Sequence, residues 1–260
     1  MLLSEYNREK TLTQLPPIFF EIHRDLPREG PGNFESTQRA FSLLPALPPQ
    51  PHILDLGCGP GMQTLHLLQL SQGTVVAVDN HAPFLDQLSA RARQTDVTDR
   101  LTTLNADMAA LPFAPGSFDL IWSEGAAYSI GFETALQRWQ PLLKPPGYLA
   151  VTEISWLTPN PPEAVRQFWA VEYPAMQTVT ANLAIIQRLG YQLLGHFNLP
   201  AAAWWTDYYT PLAARLQQLR EKYSHEPEAL EVIALHEQEI ELYRPYADDF
   251  GYVFYVMQMG

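Results

Sequence analysis

Short apolar runs alternate with amphipathic stretches from Ile53 to Ile154, and the first run closes on the bend Asp55-Leu56-Gly57-Cys58-Gly59-Pro60-Gly61. Ile53-Leu54-Asp55-Leu56 reads as a strand stopped by Gly57, and Gln63 to Gln69, with Leu65, Leu67 and Leu68, as the helix after it. Thr74 to Asp79 is β-branched and precedes a stripe of Phe84, Leu85 and Leu88 between Pro83 and Arg93. Leu101 to Asn105, Phe118 to Trp122 and Tyr148 to Ile154 supply further strands, with a helix from about Phe132 to Lys144 before the last. Strands and helices alternating in this way pair in parallel through right-handed crossovers, giving an α/β open sheet with helices on both faces.

Beyond Ser155 the alternation thins. A helix from Asn182 to Leu189, stopped by Gly190, leads into a strand from Tyr191 to Phe197, and Tyr252 to Met257 reads as the final strand. Between them lie two expected helices, Pro211 to Tyr223 and Pro227 to Tyr243, with Trp204, Trp205, Tyr208 and Tyr209 just ahead. Proline clusters at Pro48-Pro49-Gln50-Pro51 and Pro159-Asn160-Pro161-Pro162 mark boundaries between elements. The expected organisation is one domain over 1–260: a helical arm over 1–47, a core over 48–200, and a helical insertion over 201–250 that walls a pocket. The arm's helix begins at Asn33 or Phe34 and ends before Pro45.

Composition narrows the function. With 47% hydrophobic and 17% charged residues the chain is globular rather than disordered. Its 16 basic residues against 28 acidic ones leave a net charge of −12, which opposes generic binding to a phosphate backbone, so nucleic acid is not an expected partner. No apolar run approaches the ~20 residues that cross a bilayer. The single cysteine, Cys58, has no internal disulfide partner, and the first ten residues lack the basic-then-apolar order of a signal peptide, so the cytoplasm is the expected compartment. None of the seven histidines stands at a metal-ligand spacing, and no metal is expected.

In an open parallel sheet, ligands bind beyond the carboxyl ends of the strands. The alternate glycines there let a ligand approach the main chain and the N–H groups that open the next helix. Asp79 ends the second strand, where a carboxylate accepts hydrogen bonds from both hydroxyls of a ribose, so a nucleoside is the expected ligand. A dinucleotide fingerprint requires Gly where this chain has Met62. The Asp55 carboxylate would repel a pyrophosphate and suit a cationic ammonium and sulfonium, which favours S-adenosylmethionine.

With Asn105-Ala106-Asp107-Met108, Leu111-Pro112-Phe113, Phe118-Asp119-Leu120-Ile121-Trp122 and Leu142-Leu143-Lys144-Pro145-Pro146-Gly147-Tyr148 added, the chain resembles the class I S-adenosylmethionine-dependent methyltransferases, particularly the small-molecule type related to ubiquinone and menaquinone methylation. The resemblance implies a Rossmann-like sheet, mostly parallel with an antiparallel last strand. It also implies that Gly57, Gly59 and Gly61 pass the methionyl part, with Asp55 and Cys58 in the same loop and no chemistry assigned to the thiol. Asp79, with Asn80 beside it, would hold the ribose, Asp107 with the Met108 N–H would read the adenine edge, and Ser123 and Glu124 would lie near the sulfonium. Pro146 departs from the glycine usual there, a change expected to alter the turn rather than cofactor binding.

The segment Arg28-Glu29-Gly30-Pro31-Gly32, followed by Glu35 and Thr37, resembles the N-terminal cover of a subgroup of these enzymes, which implies that Arg28 or the Thr37 hydroxyl lies near the methionine carboxylate. Tyr128, Glu153, Trp156, Tyr173, Trp205 and Tyr208 are candidates to enclose the acceptor. The implied reaction is direct in-line displacement, in which alignment and exclusion of water matter most. Glu124, His23 and His236 are the candidate proton acceptors. Trp122-Ser123-Glu124-Gly125 lacks the Asn/Asp-Pro-Pro-Tyr of amino-methylating nucleic-acid enzymes, which points to a small molecule. The alternatives are a nucleotide-dependent oxidoreductase and a non-catalytic S-adenosylmethionine-binding protein.

Overall fold

A computed structural model describes residues 17–260; the expectations for residues 1–16, including that they carry no signal peptide, lie outside the described residues. Eight strands form one sheet in the order β3-β2-β1-β4-β5-β8-β7, with β6 paired to the end of β5. The strands are β1 (His52–Leu56), β2 (Thr74–Asp79), β3 (Leu101–Asn105), β4 (Phe118–Ser123), β5 (Leu143–Trp156), β6 (Gln177–Thr178), β7 (Tyr191–Asn198) and β8 (Phe250–Met259). β1 to β5 pair in parallel, and β8 inserts antiparallel between β5 and β7. The expected mostly parallel sheet with an antiparallel last strand is the observed one.

Helices α3 (Met62–Leu70) and α4 (Ala82–Gln94) make the first crossovers, and α5 (Phe132–Trp139) the one before β5. The helix expected to reach Lys144 stops at Trp139 because Pro141 has no N–H to continue it; a 3₁₀ turn over Gln140–Leu142 hands the chain to β5. Pro145 and Pro146 occupy a register shift beside Phe118, at the start of β4 and so at the far end of the sheet from the loop after β1. Two apolar clusters cover the sheet's two faces, one built on Ile53, Trp122 and Phe254 and the other on Leu54, Ile121 and Tyr255. The alternation of odd and even positions is that of a sheet buried on both sides.

The arm contributes α1 (Pro17–His23) and α2 (Phe34–Ser42). Asn33 caps α2 by accepting from the Ser36 N–H at 2.9 Å, which places the start where Asn33 and Phe34 predict it. Helix α1 was not expected, nor was α6 (Glu163–Glu172), whose buried Val165 and Trp169 are four residues apart behind Pro162 at the cap. Helix α7 (Val179–Arg188) precedes β7.

The region from 201 to 250 is helical as expected. It runs through α8 (Ala201–Trp204), a π-helical turn over Trp205–Tyr209, α9 (Thr210–Lys222) and α10 (Pro227–Tyr246). Its aromatic stripe packs inward: Trp204 stacks on Tyr243 at 4.2 Å and meets Phe250 and Tyr252 of β8. Helix α9 and the turn after it brace the arm. Lys222 Nζ and the Tyr223 hydroxyl each donate to Glu21 at 2.6 Å, and Arg215 donates to the Arg24 carbonyl at 2.8 Å.

Candidate functional site

A cleft of about 630 Å³ opens at the carboxyl ends of β1, β2 and β4, a volume ordinary for a small-molecule site. The loop after β1 forms its floor. Gly57 holds φ +67°, and a side chain there would overlap Ala126 and come 3.1 Å from Met108 Cε, so only glycine lets these segments close up. Gly59 donates its N–H to Asp79 Oδ2 at 2.9 Å, and His81 donates its N–H to Asp79 Oδ1 at 2.8 Å. Each Asp79 oxygen keeps a lone pair, and burial raises its pKa against the lowering effect of these two N–H groups.

Of the residues expected to hold a cofactor, Arg28, Gly57, Cys58, Gly59, Asp79, Asn80, Asp107, Met108 and Glu124 line this cleft. Asp107 also caps its own turn, accepting from the Ala109 N–H at 2.8 Å. Gly61, Asp55, Ser123 and Thr37 are not in its walls. Gly61 caps α3 and lies against Leu88 of α4, where a Cβ would clash, so the third glycine serves packing. Asp55 is fully buried, accepts from the Thr64 hydroxyl at 2.5 Å, and is pushed up to about 7 by burial. It turns toward α3, so the repulsion of a pyrophosphate that the sequence suggests is not exerted by Asp55 at the cleft surface. Ser123 donates its hydroxyl to the Leu56 carbonyl at 2.9 Å and tightens β4 on β1.

Glu124 ties the arm to β4. Its Oε2 pairs with Arg28 Nη2, and its Oε1 accepts from the Thr37 hydroxyl at 2.9 Å and the Trp122 indole at 2.8 Å. With both oxygens engaged by three donor side chains, Glu124 is an anchor rather than a free proton acceptor. Arg28 is 4% exposed, lines the cleft, and its Nη1 has no hydrogen-bond partner among the described residues. A buried guanidinium nitrogen without a partner is an exception among buried polar groups.

The remaining proton-acceptor candidates, His23 and His236, touch through their Nε2 atoms at 3.2 Å. Burial drives each down to about 3, so both imidazoles are neutral at pH 7. His23 lines the cleft and His236 stands behind it on α10.

Tyr128 and Tyr173 also line the cleft, with ring centroids 5.9 Å apart. Glu153 is not in the wall; it lies behind Tyr173, accepting from its hydroxyl at 2.7 Å. Trp156, Trp205 and Tyr208 do not line the cleft either. Tyr208 stacks on Tyr209 inside the insertion, and Trp205 lies under the Arg244 guanidinium. No described residue from 201 to 250 is in the wall, because the insertion spends its aromatic side on β8 and on itself; it supports the arm, and the arm lines the cleft with Phe19, Phe20, His23, Arg28, Glu29 and Gly30. Sequence reasoning missed Phe19 and Phe20 and named Glu29 only as part of the cover segment, and only the apolar spacing of Ile18 and Ile22 signals the helix that carries the two phenylalanines.

Burial pushes Glu153 from an ordinary 4.5 up to about 8, with the Tyr173 hydrogen bond opposing. The folded state therefore holds this proton to higher pH than the unfolded chain. The stabilising contribution is full below about 4.5 and is lost as pH rises through about 8. In Glu153→Gln the melting temperature should fall less steeply than in the parent between about pH 5 and about pH 9. Equal slopes in thermal scans would contradict this assignment.

The profile described as a methyltransferase domain matches residues 53–147, the segment that builds the floor and one wall of the cleft. Malonyl-[acyl-carrier protein] O-methyltransferase of Enterobacter lignolyticus is 32% identical over 153 residues, covering 58% of this chain and 53% of that protein. Trans-aconitate 2-methyltransferase of Delftia acidovorans is 37% identical over 123 residues, covering 45% and 44%. The chain spans about half the length of the curated relatives it matches. Among solved structures, an SAM-dependent methyltransferase from Geobacter sulfurreducens in complex with S-adenosyl-L-homocysteine superposes with a TM-score of 0.80 at 21% identity, over 95% of this chain and 99% of that one, a likeness of fold.

Proposed function

We propose, from the match of residues 53–147 to a methyltransferase domain, that this protein transfers a methyl group from S-adenosylmethionine to a small-molecule acceptor. The observation that carries the reading is the Asp79 carboxylate, clamped by the Gly59 and His81 N–H groups at the cleft edge with a lone pair free on each oxygen. Such a group suits the two hydroxyls of a ribose. The cleft also fits the rest of the cofactor: the Arg28 guanidinium in its wall suits the methionyl carboxylate, the Gly57 bend leaves the main chain bare, and Asp107 and Met108 stand where an adenine edge would lie.

When bound, S-adenosylmethionine supplies a methyl already activated by its sulfonium. The chain's own part is then alignment and exclusion of water. Phe19, Phe20 and Glu29 cover the cleft from the arm, and Tyr128 with Tyr173 offers an aromatic wall for the acceptor. A carboxylate or phenolate acceptor needs no proton removed. The relatives named for malonyl-[acyl-carrier protein] and trans-aconitate bear on this class of acceptor only as analogues.

Titration calorimetry tests the reading. Saturable binding of S-adenosylhomocysteine without binding of NADH is expected, and the reverse would make the oxidoreductase alternative the better one. Transfer of labelled methyl to any compound of a metabolite panel separates an enzyme from a non-catalytic binder, and a cofactor-binding protein with no transfer would overturn the catalytic part.

A further inference from the structure

A single guanidinium joins the roof of the cleft to its floor. Arg91 of α4 donates from Nη1 to the Pro60 carbonyl in the glycine bend and to the Pro27 carbonyl in the arm, both at 3.0 Å, and from Nη2 to the Leu26 carbonyl at 2.8 Å. Pro60 stands between Gly59, whose N–H meets Asp79, and Gly61, which lies against Leu88, one turn before Arg91 on the same side of α4. Leu26 and Pro27 come directly ahead of Arg28 and Glu29, which line the cleft. The far end of this cover segment is fastened as well, where Gly32 donates its N–H to the Ala203 carbonyl at 2.9 Å. Floor and roof are therefore both referenced to a side chain that is not itself in the cleft wall.

All three acceptors are main-chain carbonyls, so the bonds fix the path of two backbone segments relative to each other. The planar fork of an arginine can do this because its N–H groups point in fixed, diverging directions, whereas a lysine ammonium is a compact point charge. A second clamp of the same chemistry shows what is particular to Arg91. Arg100 donates from Nη1 to the Ser71 and Gly73 carbonyls at 3.0 and 3.2 Å and from Nη2 to the Leu68 carbonyl at 2.9 Å. It ties the last turn of α3 to the loop that enters β2, at the opposite end of the sheet from the cleft, and none of its three partners lines the wall. The two clamps match in number and type of bond and differ in what they hold.

We propose that Arg91 is a positioning residue for the bound cofactor: by holding Pro60 and the pair Leu26-Pro27 on one guanidinium, it sets the gap between the glycine bend and the cover that begins at Arg28. The proposal rests on the S-adenosylmethionine reading, in which that gap receives the ligand. Arg91 acts through the two segments it holds. It raises the fraction of time for which roof and floor are in register, and the apparent dissociation constant varies inversely with that fraction.

Calorimetry and stopped-flow dissociation of S-adenosylhomocysteine, with melting curves on the same full-length samples, compare the parent with Arg91→Ala, Arg91→Lys and Arg100→Ala. Arg91→Ala should bind about tenfold more weakly, chiefly through faster dissociation, as a roof in register about one-tenth as often requires. Arg91→Lys keeps the charge and should melt closer to the parent, yet bind about threefold more weakly or worse, because one ammonium does not span both segments. Arg100→Ala should melt lower, as Arg91→Ala does, while its affinity stays within about twofold of the parent. Should Arg91→Ala not fold, Arg91→Lys carries the same comparison. Parent-like affinity in either Arg91 variant, or a loss in Arg100→Ala as large as that in Arg91→Ala, would make Arg91 a structural clamp only and overturn the proposal, while the cofactor reading stands. A parent that does not bind S-adenosylhomocysteine would overturn the cofactor reading and the proposal together.

Discussion

Arg28→Ala is expected to lower the stability of the folded protein by about 3–5 kcal/mol, the usual penalty for removing one partner of a buried ion pair. The side chain of Glu124 is wholly buried, and after the substitution its carboxylate keeps only the Thr37 hydroxyl and the Trp122 indole as donors. Both of those bonds go to Oε1, so Oε2 loses the Arg28 guanidinium as its partner. A protein of this size should melt on the order of 10 °C lower. The double variant Arg28→Ala/Glu124→Gln should recover much of the loss, because a neutral amide oxygen still accepts from Thr37 and Trp122 while no unpaired charge remains buried. Denaturant titration of the parent, both single variants and the double variant gives the coupling directly. A loss under about 1 kcal/mol in Arg28→Ala would mean that the arm is held by packing alone.

Asp79→Ala should cost little stability and much affinity. If the carboxylate accepts from two ribose hydroxyls, its loss removes two charge-assisted hydrogen bonds of about 1.5–3 kcal/mol each and frees the Gly59 and His81 N–H groups that shape the loop. S-adenosylhomocysteine should therefore bind about 100-fold more weakly or worse. Asp79→Asn should fall between the two, since an amide keeps one acceptor oxygen and turns a donor toward the other N–H group. Dissociation constants by calorimetry read the series, and an Asp79→Ala protein within about threefold of the parent would remove the ribose from this site.

The sheet was legible from local pattern. β1, β2, β3 and β4 stand where short runs close at Gly57, Asp79, Asn105 and Ser123, and period distinguishes them from the helices between. The helix expected over 132–144 was overdrawn because Pro141 was weighed less than the apolar spacing around it. The cleft was half legible. Gly57, Gly59 and Asp79 belong to a contiguous loop-and-strand grammar, whereas the partner of His23 lies 213 positions away on α10 and nothing periodic connects the two. Asp55 illustrates the limit from the other side: its position was readable, but its direction goes with the Thr64 hydroxyl, on the α3 side and out of the cleft wall. Glu29 stood in the cover segment without a role of its own, because a glutamate in a Gly/Pro-rich segment is ordinary until a histidine is packed against it.

The braces between α1 and the insertion carry a consequence for traffic through the cleft. Glu21, His23 and Arg24 are each fastened to α9, α10 or the turn between them, so the ceiling over the bend cannot lift by itself. To admit or discharge a guest, it must either drag two long helices with it as one rigid flap or snap those fastenings first. Two of the fastened side chains, Glu21 and Arg24, lie outside the cleft wall, so the ceiling is held from the outer side of the molecule as well as by His23 within it.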